Sequence, residues 1–235
     1  MNAGRFTCLF NEEEKEKIKG AVKAAEMNTA GEIATMVVER SDSYREAETL
    51  GAVLIAGLLA LLVEILLEYS VVSSASPEWG EAGRGWGLFM LYGISIWTYI
   101  PLVILFFFPS KIIFRKYPLL KLPLVGKKRI DEAVRERAVR AFYEKGLYKT
   151  RDETGVLIFI SHMERKVWIL GDRGINRKVQ HSFWTALASE LSNGLRGNRA
   201  CDALCGIIEK LGRELAAHYP KKPDDINELS DEVLK

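Results

Sequence analysis

Apolar residues occur in three arrangements along this chain: at helical spacing, in short continuous segments, and in two long runs. Two of the short segments, Val156–Ser161 and Lys166–Leu170, are joined by a polar turn and followed by a Gly-Asp-Arg-Gly corner that opens a helix. Because valine, isoleucine, phenylalanine and tryptophan occupy both faces of this hairpin, both faces need cover. The pattern predicts an α/β fold in which a small sheet is sandwiched between helices.

An amphipathic helix and a strand come first along the chain. The segment Asn11–Asn28 has acidic side chains in a first turn that Asn11 can cap, and Ile18 and Val22 lie on its apolar stripe. The segment Glu32–Glu39 is rich in β-branched residues, which indicates a strand. A single strand leaves both of its edges unpaired, so this strand must join another part of the chain.

Further amphipathic helices are predicted after the long apolar runs, at Ile130–Gly146, Asn176–Asn193 and Arg199–Tyr219. Gly146 ends the first of these as a C′ residue. The residues predicted to face the core are Ala133, Val134, Ala138, Ala141 and Phe142 in the first helix, Val179, Phe183, Leu187 and Leu191 in the second, and Leu204, Ile207, Ile208, Leu211 and Leu215 in the third.

The two long apolar runs are Leu50–Leu67, which contains the single charge Glu64, and Trp86–Phe108, which contains none. Crossing a bilayer takes about 20 helical residues. Both runs therefore predict transmembrane helices, at about 50–69 and 86–108, within a hairpin at 49–109. The alternative is a pair of buried core helices, which seldom exceed about 14 wholly apolar residues. We expect Glu64 near the outer end of its helix, where a carboxylate reaches water; the alternative is a buried proton relay.

Two membrane passes return the chain to the side that it left, so the residues before and after the hairpin can meet. We therefore predict one soluble domain that is split in sequence, with its first half at 1–48 and its second half at 129–219. A basic juxtamembrane segment at 110–128 connects the hairpin to the second half, and residues 220–235 form a charged tail that we expect to be mobile.

The distribution of charge predicts the orientation in the membrane. Seven Lys and Arg residues and no acid lie between Ser110 and Arg129, whereas the loop Ser73–Gly85 has one Arg and two Glu. Because basic flanks stay cytoplasmic, both termini and the soluble domain are predicted to face the cytoplasm of a two-pass inner (plasma) membrane protein. The net charge of +2 is too small to indicate a nucleic-acid partner.

The segment Phe114–Gly126 alternates basic with apolar residues and contains two prolines. We expect it to lie along the bilayer surface instead of packing as a helix, with its cations attracted to anionic headgroups. The alternative is a plain linker. The expected partners are the lipid bilayer and other membrane proteins.

Three ordered segments resemble the TPM domain family: FNEEEKEKIKGAVKAAEMNTAGEIATMVVERSDSY at 10–44, GLYKTRDETGVLIFISHMERKVWILGDRGI at 146–175 and YPKKPDDINELSDE at 219–232. That family occurs in bacterial membrane and periplasmic proteins and in plant thylakoid-lumen proteins linked to photosystem II repair. A domain interrupted by a membrane hairpin is similar to the short bacterial membrane-bound branch of the family.

The resemblance implies a three-layer α/β fold with a small mixed sheet. It also implies binding of calcium or another divalent cation in some members, and an acid phosphatase activity proposed for plant members. Two residues carry over from the family: Glu32 in the Thr-Ala-Gly-Glu corner and Asp172 in the Gly-Asp-Arg-Gly corner.

Candidate metal ligands follow from the predicted strands. If Asp42 and Asp172 end neighbouring strands, they and Glu32 could bind a hard cation, with Asp152 and Glu153 close by. The alternative is that Asp172 only caps the next helix. No calcium-loop motif of the Asp-x-Asp-x-Asp-Gly type is present, so calcium is expected from the family resemblance and the clustering of acids alone.

Phosphatase chemistry needs a nucleophile or a metal together with cations that hold phosphate. Arg173 and Arg177 are candidate phosphate-binding residues near a helix start, but the sequence contains no phosphatase motif. The histidines, His162, His181 and His218, are far apart in sequence, and we expect surface or core roles for them. Cys201 and Cys205 are four residues apart and are predicted to be small buried thiols.

Two functional hypotheses follow. The first is a membrane-anchored, non-enzymatic module that binds a divalent cation and interacts with other proteins in membrane-protein assembly, repair or stress. The second is a metal-assisted acid phosphatase that acts on phosphoesters or phosphoproteins.

Overall fold

The computed structural model describes residues 9–74, 81–197 and 199–221. In chain order the elements are α1 (Glu12–Glu26), β1 (Glu32–Val38), α2 (Arg45–Ser74), α3 (Glu81–Lys116), a 3-10 helix (Pro118–Leu124), α4 (Lys127–Glu144), a second 3-10 helix (Leu147–Lys149), β2 (Gly155–Ser161), β3 (Lys166–Gly171), α5 (Arg173–Asn176), α6 (His181–Arg196) and α7 (Ala200–His218). The chain divides into two compact units, which among the described residues comprise 9–43 with 127–221 and 44–126.

The first unit contains a three-stranded mixed sheet in the order β1-β2-β3. β1 pairs with β2 in parallel, and β2 pairs with β3 antiparallel. All seven residues of β2 are buried, as expected for a central strand with both faces covered. We call the edge where β1 and β2 begin and β3 ends the Asp172 end of the sheet, and the opposite edge, with the β2–β3 turn, the turn end.

Helices cover both faces of this sheet. Ile33, Val156, Ile158 and Ile160 pack in one apolar cluster with residues of α1, α6 and α7. Alternate residues of the same strands face the other way and pack with α4; these are Ala34, Met36, Leu157 and Phe159. The α/β prediction of a small mixed sheet between two layers of helices is confirmed.

The start of α1 is held by reciprocal hydrogen bonds. The Asn11 side chain accepts from the Glu14 backbone N–H at 2.7 Å, and the Glu14 carboxylate accepts from the Asn11 N–H at 2.8 Å. This capping box satisfies two of the N–H groups that a helix start leaves unpaired. Ile18 and Val22 are buried against the sheet, as the apolar stripe predicts.

The prediction of one helix over Asn176–Asn193 is wrong. The short helix α5 precedes α6, which begins only at His181, and Val179 between them is buried. Leu187 and Leu191 of α6 are buried as predicted. Trp184 is buried where Phe183 was expected, and Phe183 is half-buried, because the non-helical residues before His181 break the helical spacing from Val179. The core positions predicted for α4 and α7 are all buried.

The second unit consists of α2, α3 and the Pro118–Leu124 3-10 helix, and α2 packs along α3. Two stretches are long and apolar enough to span a membrane: Arg45–Leu67, with a mean hydropathy of 2.7, and Trp97–Lys116, with 1.7. The prediction at 86–108 coincides with this second stretch from Trp97 onward. The side chains of 86–96 lie outside the described residues.

Two predictions for this unit are wrong. Glu64 does not reach water at a helix end; it is 8% exposed and accepts a hydrogen bond from the Thr98 hydroxyl of α3. Burial of a carboxylate is tolerated where a donor meets it. The segment Phe114–Gly126 was predicted not to form a helix, yet α3 continues to Lys116 and a 3-10 helix follows. Of the charged tail, 222–235 lie outside the described residues, while the Lys221 N–H donates to the Asn28 carbonyl at 3.4 Å.

Candidate functional site

Glu32, Gly155 and Asp172 form a row across the Asp172 end of the sheet. Glu32 is the register partner of Gly155, and the Asp172 backbone N–H donates to the Gly155 carbonyl at 2.8 Å, which extends the ladder by one residue. Neighbouring strands are about 4.8 Å apart, so the Cα atoms of Glu32 and Asp172 lie about 10 Å apart across the sheet, with Gly155 between them. The topology therefore brings the two family-derived residues to one edge of the sheet.

The Asp172 side chain has two different oxygens. One, Oδ1, accepts a hydrogen bond from the Arg173 N–H at 2.7 Å and so caps α5. The other, Oδ2, is buried and accepts no hydrogen bond from any residue in the described ranges 9–74, 81–197 and 199–221. A carboxyl oxygen that is shielded from water in this way needs a cationic or donor partner.

Backbone carbonyls lie close to the same corner. Gly174 makes such close contact with the turn at 152–153 that a Cβ there would lie 2.6 Å from the Glu153 carbonyl oxygen and 2.7 Å from that of Asp152. Glu153 itself has a positive φ of 53°, a conformation in which a non-glycine residue is uncommon. The turn therefore presents two carbonyl oxygens to the segment that follows Asp172, and carbonyls and carboxylates are the ligands that hard cations prefer.

Tyr219 fixes this corner, and the sequence analysis did not single it out. Its hydroxyl donates to the Gly174 carbonyl at 2.7 Å, and the Lys178 ammonium lies 4.0 Å from the ring centroid. Its own carbonyl accepts from the Thr29 hydroxyl at 2.7 Å. Burial raises the pKa of the Tyr219 phenol. Two signals in the sequence pointed to it: it begins the third segment that resembles the TPM family, and it is an aromatic residue directly before Pro220 at the end of a helix.

Asp42 does not belong to this site. β2 lies between β1 and β3, and β3 runs antiparallel to β1, so Asp42 lies beyond the turn end of the sheet while Asp172 lies at the other end. Its carboxylate instead accepts from Arg129 at 2.7 Å. The condition that Asp42 and Asp172 end neighbouring strands is not met, because β2 separates the two strands and β3 runs in the opposite direction. No three His, Cys, Asp or Glu side chains among the described residues form a group that could hold a metal ion.

The candidate phosphate-binding residues lie at the Asp172 end but are not directed at one point. The Arg173 side chain is exposed, and its backbone N–H is already bonded to Asp172. An Arg177 nitrogen lies 4.0 Å from a Glu153 carboxylate oxygen. The Glu153 carboxylate beside Arg177 competes with an anionic ligand for that cation. His162 and His181 are exposed on separate elements, and His218 lies 3.4 Å from Glu214.

Cys201 and Cys205 are free thiols on α7, of which Cys201 is buried and Cys205 is half-buried. Cys201 donates weakly to the Glu14 carbonyl at 3.8 Å. Burial raises the pKa of the Cys201 thiol from 9.0 to about 11, with Cys205 adding to the shift. Such a thiol is neutral and unreactive at neutral pH.

The raised pKa of Cys201 predicts a specific loss of stability in alkali. The raised pKa stabilises the folded chain, in which the thiol stays neutral. This contribution is complete below pH 9.0, the pKa of the thiol in the unfolded chain, and is lost as the pH rises toward about 11, because in that range only the unfolded chain forms the thiolate. A shift of this size corresponds to roughly 2 to 3 kcal/mol. We expect Cys201→Ala to flatten the fall in urea midpoint between pH 9 and pH 11, whereas an equally steep fall in that variant would contradict the assignment.

Comparison with known proteins agrees with this architecture. Residues 125–214 match the family model described as the TPM domain. This part of the chain is therefore similar to the TPM domain. The NMR structure of the BA42 protein from the psychrophilic bacterium Bizionia argentinensis is similar, with a TM-score of 0.55 over 98% of each chain. At 19% identity that likeness shows the fold. No curated protein matches the chain. The predicted resemblance to the TPM family is confirmed.

Proposed function

We propose that this protein is a membrane-anchored, non-enzymatic TPM-domain protein whose soluble unit binds a divalent cation at the Asp172 end of the sheet and interacts there with other membrane proteins. The observation that carries the proposal is the buried Asp172 Oδ2, which accepts no hydrogen bond from the described residues. Glu32, on the other side of Gly155, and the carbonyls of the turn at 152–153 are the candidates for the other oxygen ligands.

The chemistry of these donors favours a hard cation. The candidate oxygens are carboxylate and carbonyl oxygens, which Ca²⁺ and Mg²⁺ bind in preference to nitrogen or sulfur. Since the protein supplies few carboxylates at this edge, water would complete the coordination shell, as is usual for Mg²⁺ and for weak Ca²⁺ sites. A cation here would also hold the turn at 152–153 against α5, so it would set the shape of the surface offered to a partner.

Binding is a better supported role than catalysis. Arg173 points to solvent and Arg177 lies beside Glu153, so neither supports the placement of a substrate phosphate against Asp172. The membrane anchor supports a partner that also resides in the membrane. We place the two candidate spans in the inner (plasma) membrane with both termini cytoplasmic, because basic residues lie in the last turns of the second span and directly after it, between 111 and 129.

Cation binding is tested by thermal unfolding of the full chain in lipid nanodiscs, with and without millimolar Ca²⁺, Mg²⁺ or Mn²⁺. A cation at about one hundred times its Kd should add about 2.7 kcal/mol to the free energy of unfolding. We expect Asp172→Asn to remove this increment, because it removes the negative charge at the site while keeping the shape of the side chain.

The matched control is Asp42→Asn, which removes the same charge at the turn end of the sheet. It should weaken the contact with Arg129 but leave the cation-dependent increment intact. If both variants lost the increment equally, or if no cation changed the unfolding temperature of the wild type, the cation site would have to be abandoned.

The alternative function, a metal-assisted acid phosphatase, is tested with the same proteins. It requires hydrolysis of a generic phosphomonoester that depends on the added cation and disappears in Asp172→Asn. We expect no turnover above that of empty nanodiscs. Turnover in the wild type that Asp172→Asn abolishes, with the fold intact by circular dichroism, would replace the binding role with the enzymatic one.

A further inference from the structure

The Pro118–Leu124 3-10 helix has its polarity reversed relative to a helix on the surface of a soluble protein. Leu119 is 64% exposed and Leu120 is 46% exposed, while Lys121, the charged residue of the helix, is 3% exposed. Tyr117, directly before the helix, is 53% exposed. In water this arrangement would expose leucine side chains and bury a lysine, which is unfavourable. It therefore indicates that the exposed leucines face an apolar environment.

The reversal is produced by contacts within the second unit. The Lys121 ammonium lies 2.6 Å from a Glu48 carboxylate oxygen, and both side chains are largely shielded. Gly51 of α2 packs closely against Phe114 and Leu124. A Cβ at this position would lie 2.4 Å from the Phe114 ring and 2.7 Å from the Leu124 side chain. The 3-10 helix therefore folds back against the beginning of α2, and the buried ion pair fixes which way its leucines face.

The exposed apolar surface continues along the end of α3. Phe108, Ile112 and Ile113 are 62%, 66% and 46% exposed. Exposed cations lie among them at Lys111, Arg115 and Lys116, and the ammonium groups of Lys111 and Lys116 lie over the rings of Phe107 and Tyr117 at 5.6 and 5.8 Å. The surface thus mixes apolar side chains, aromatic rings and cations at the end of a candidate membrane span.

We propose that residues 108–124 form an interfacial collar that inserts its leucines into one leaflet and selects anionic phospholipid headgroups with Lys111, Arg115 and Lys116. Two arguments favour lipid as the occupant. The collar begins within the last two turns of Trp97–Lys116, a stretch long and apolar enough to span a membrane. Its charge is also complementary to an anionic leaflet, since residues 108–124 contain no acid and the neighbouring carboxylate of Glu48 is bound to Lys121.

Lipid insertion is tested on the full chain in nanodiscs with a fluorophore at position 120. The label is attached to Leu120→Cys in a background where Cys8 and both α7 cysteines are alanine, and the probe is phosphatidylcholine with a doxyl group close to the headgroup. We expect strong quenching at position 120 and none at Lys17→Cys, an exposed control position on α1. Energy transfer between labels on two copies, without quenching by the lipid, would show a protein partner and overturn the proposal.

Lipid selectivity is tested with the natural cysteines in place. Nanodiscs of mixed phosphatidylglycerol and phosphatidylcholine report which lipid associates with the protein. Replacing Lys111, Arg115 and Lys116 by Gln should lower the preference for phosphatidylglycerol by about fivefold for each cation at low salt. A matched control variant changes three exposed cations elsewhere, Lys23→Gln, Lys145→Gln and Arg213→Gln. It should leave the preference for phosphatidylglycerol unchanged. Equal preferences in the wild type and the collar variant would contradict anionic selection.

Discussion

Residues 1–43 and 127–235 joined by a short Gly/Ser linker should fold into one soluble α/β unit, whereas residues 127–235 alone should not fold. The two ends can be joined because the side chains of Asp42 and Arg129 lie 2.7 Å apart. A flexible linker of about six residues spans roughly 13 Å, which covers the reach of two such side chains. The unit of α2 and α3 is then an insertion in a domain whose core it does not interrupt.

The fragment should fail because β1 and α1 provide a large share of the core. Ile18, Val22, Ile33 and Met36 are each at most 2% exposed. Complete burial of such side chains contributes about 1.5 to 3 kcal/mol each, so the four together contribute about 6 to 12 kcal/mol. That is comparable to the whole stability of a small domain, about 5 to 15 kcal/mol. Losing β1 also unpairs one edge of β2, whose residues are all buried.

The measurement is urea unfolding followed by circular dichroism, together with the dispersion of amide signals in NMR spectra. We expect one cooperative transition for the linked unit and none for the fragment. Adding a peptide of residues 9–43 to the fragment should restore some ordered signal, which controls for general insolubility. A cooperative transition in the fragment alone would mean that the second half is autonomous and that β1 is an accessory strand.

The parts of the fold that depend on local pattern could be predicted from the sequence. Helix α4 was found with its core positions because five apolar side chains recur at helical spacing, and α1 because Asn11 can cap an acidic first turn and an apolar stripe follows. The hairpin of β2 and β3 was found because its two strands are adjacent in sequence and uniformly apolar. Each of these features is determined within about twenty residues.

The errors concern properties that distant residues determine. The direction of β3 relative to β1 depends on their separate pairing with β2, so the placement of Asp42 beside Asp172 could not be checked locally. Lys121 was expected to face lipid headgroups, but its partner Glu48 lies 73 positions away. Glu64 was expected to reach water, but it is bonded to Thr98 of another helix, a donor that the local sequence does not reveal. Charged residues near apolar runs are thus the least reliable part of such a prediction.

The second large effect is expected for Gly155→Ala. A Cβ at this position would lie 2.3 Å from the carbonyl oxygen of Leu147 and 3.1 Å from its carbonyl carbon. These are backbone atoms, so relief requires moving the Leu147–Lys149 3-10 helix, whose Leu147 side chain is fully buried. Gly146, in the left-handed region at φ 74°, fixes where that helix begins. Overpacking costs about 1 to 3 kcal/mol where side chains can yield, and we expect about 3 kcal/mol or more here because they cannot.

The free energy of unfolding is measured on the linked unit, and a glycine substitution in α1 is the control, expected to change that free energy in the opposite direction. Gly20→Ala has no atom within 4 Å of the new Cβ and lies inside a helix, so it should stabilise the unit by roughly 0.5 to 1 kcal/mol. Because the Asp172 N–H donates to the Gly155 carbonyl, Gly155→Ala should also remove the cation-dependent increment that Gly20→Ala retains. A Gly155→Ala protein within 1 kcal/mol of the wild type would mean that Leu147 can move freely, and that the Asp172 end of the sheet is not held by the contact described.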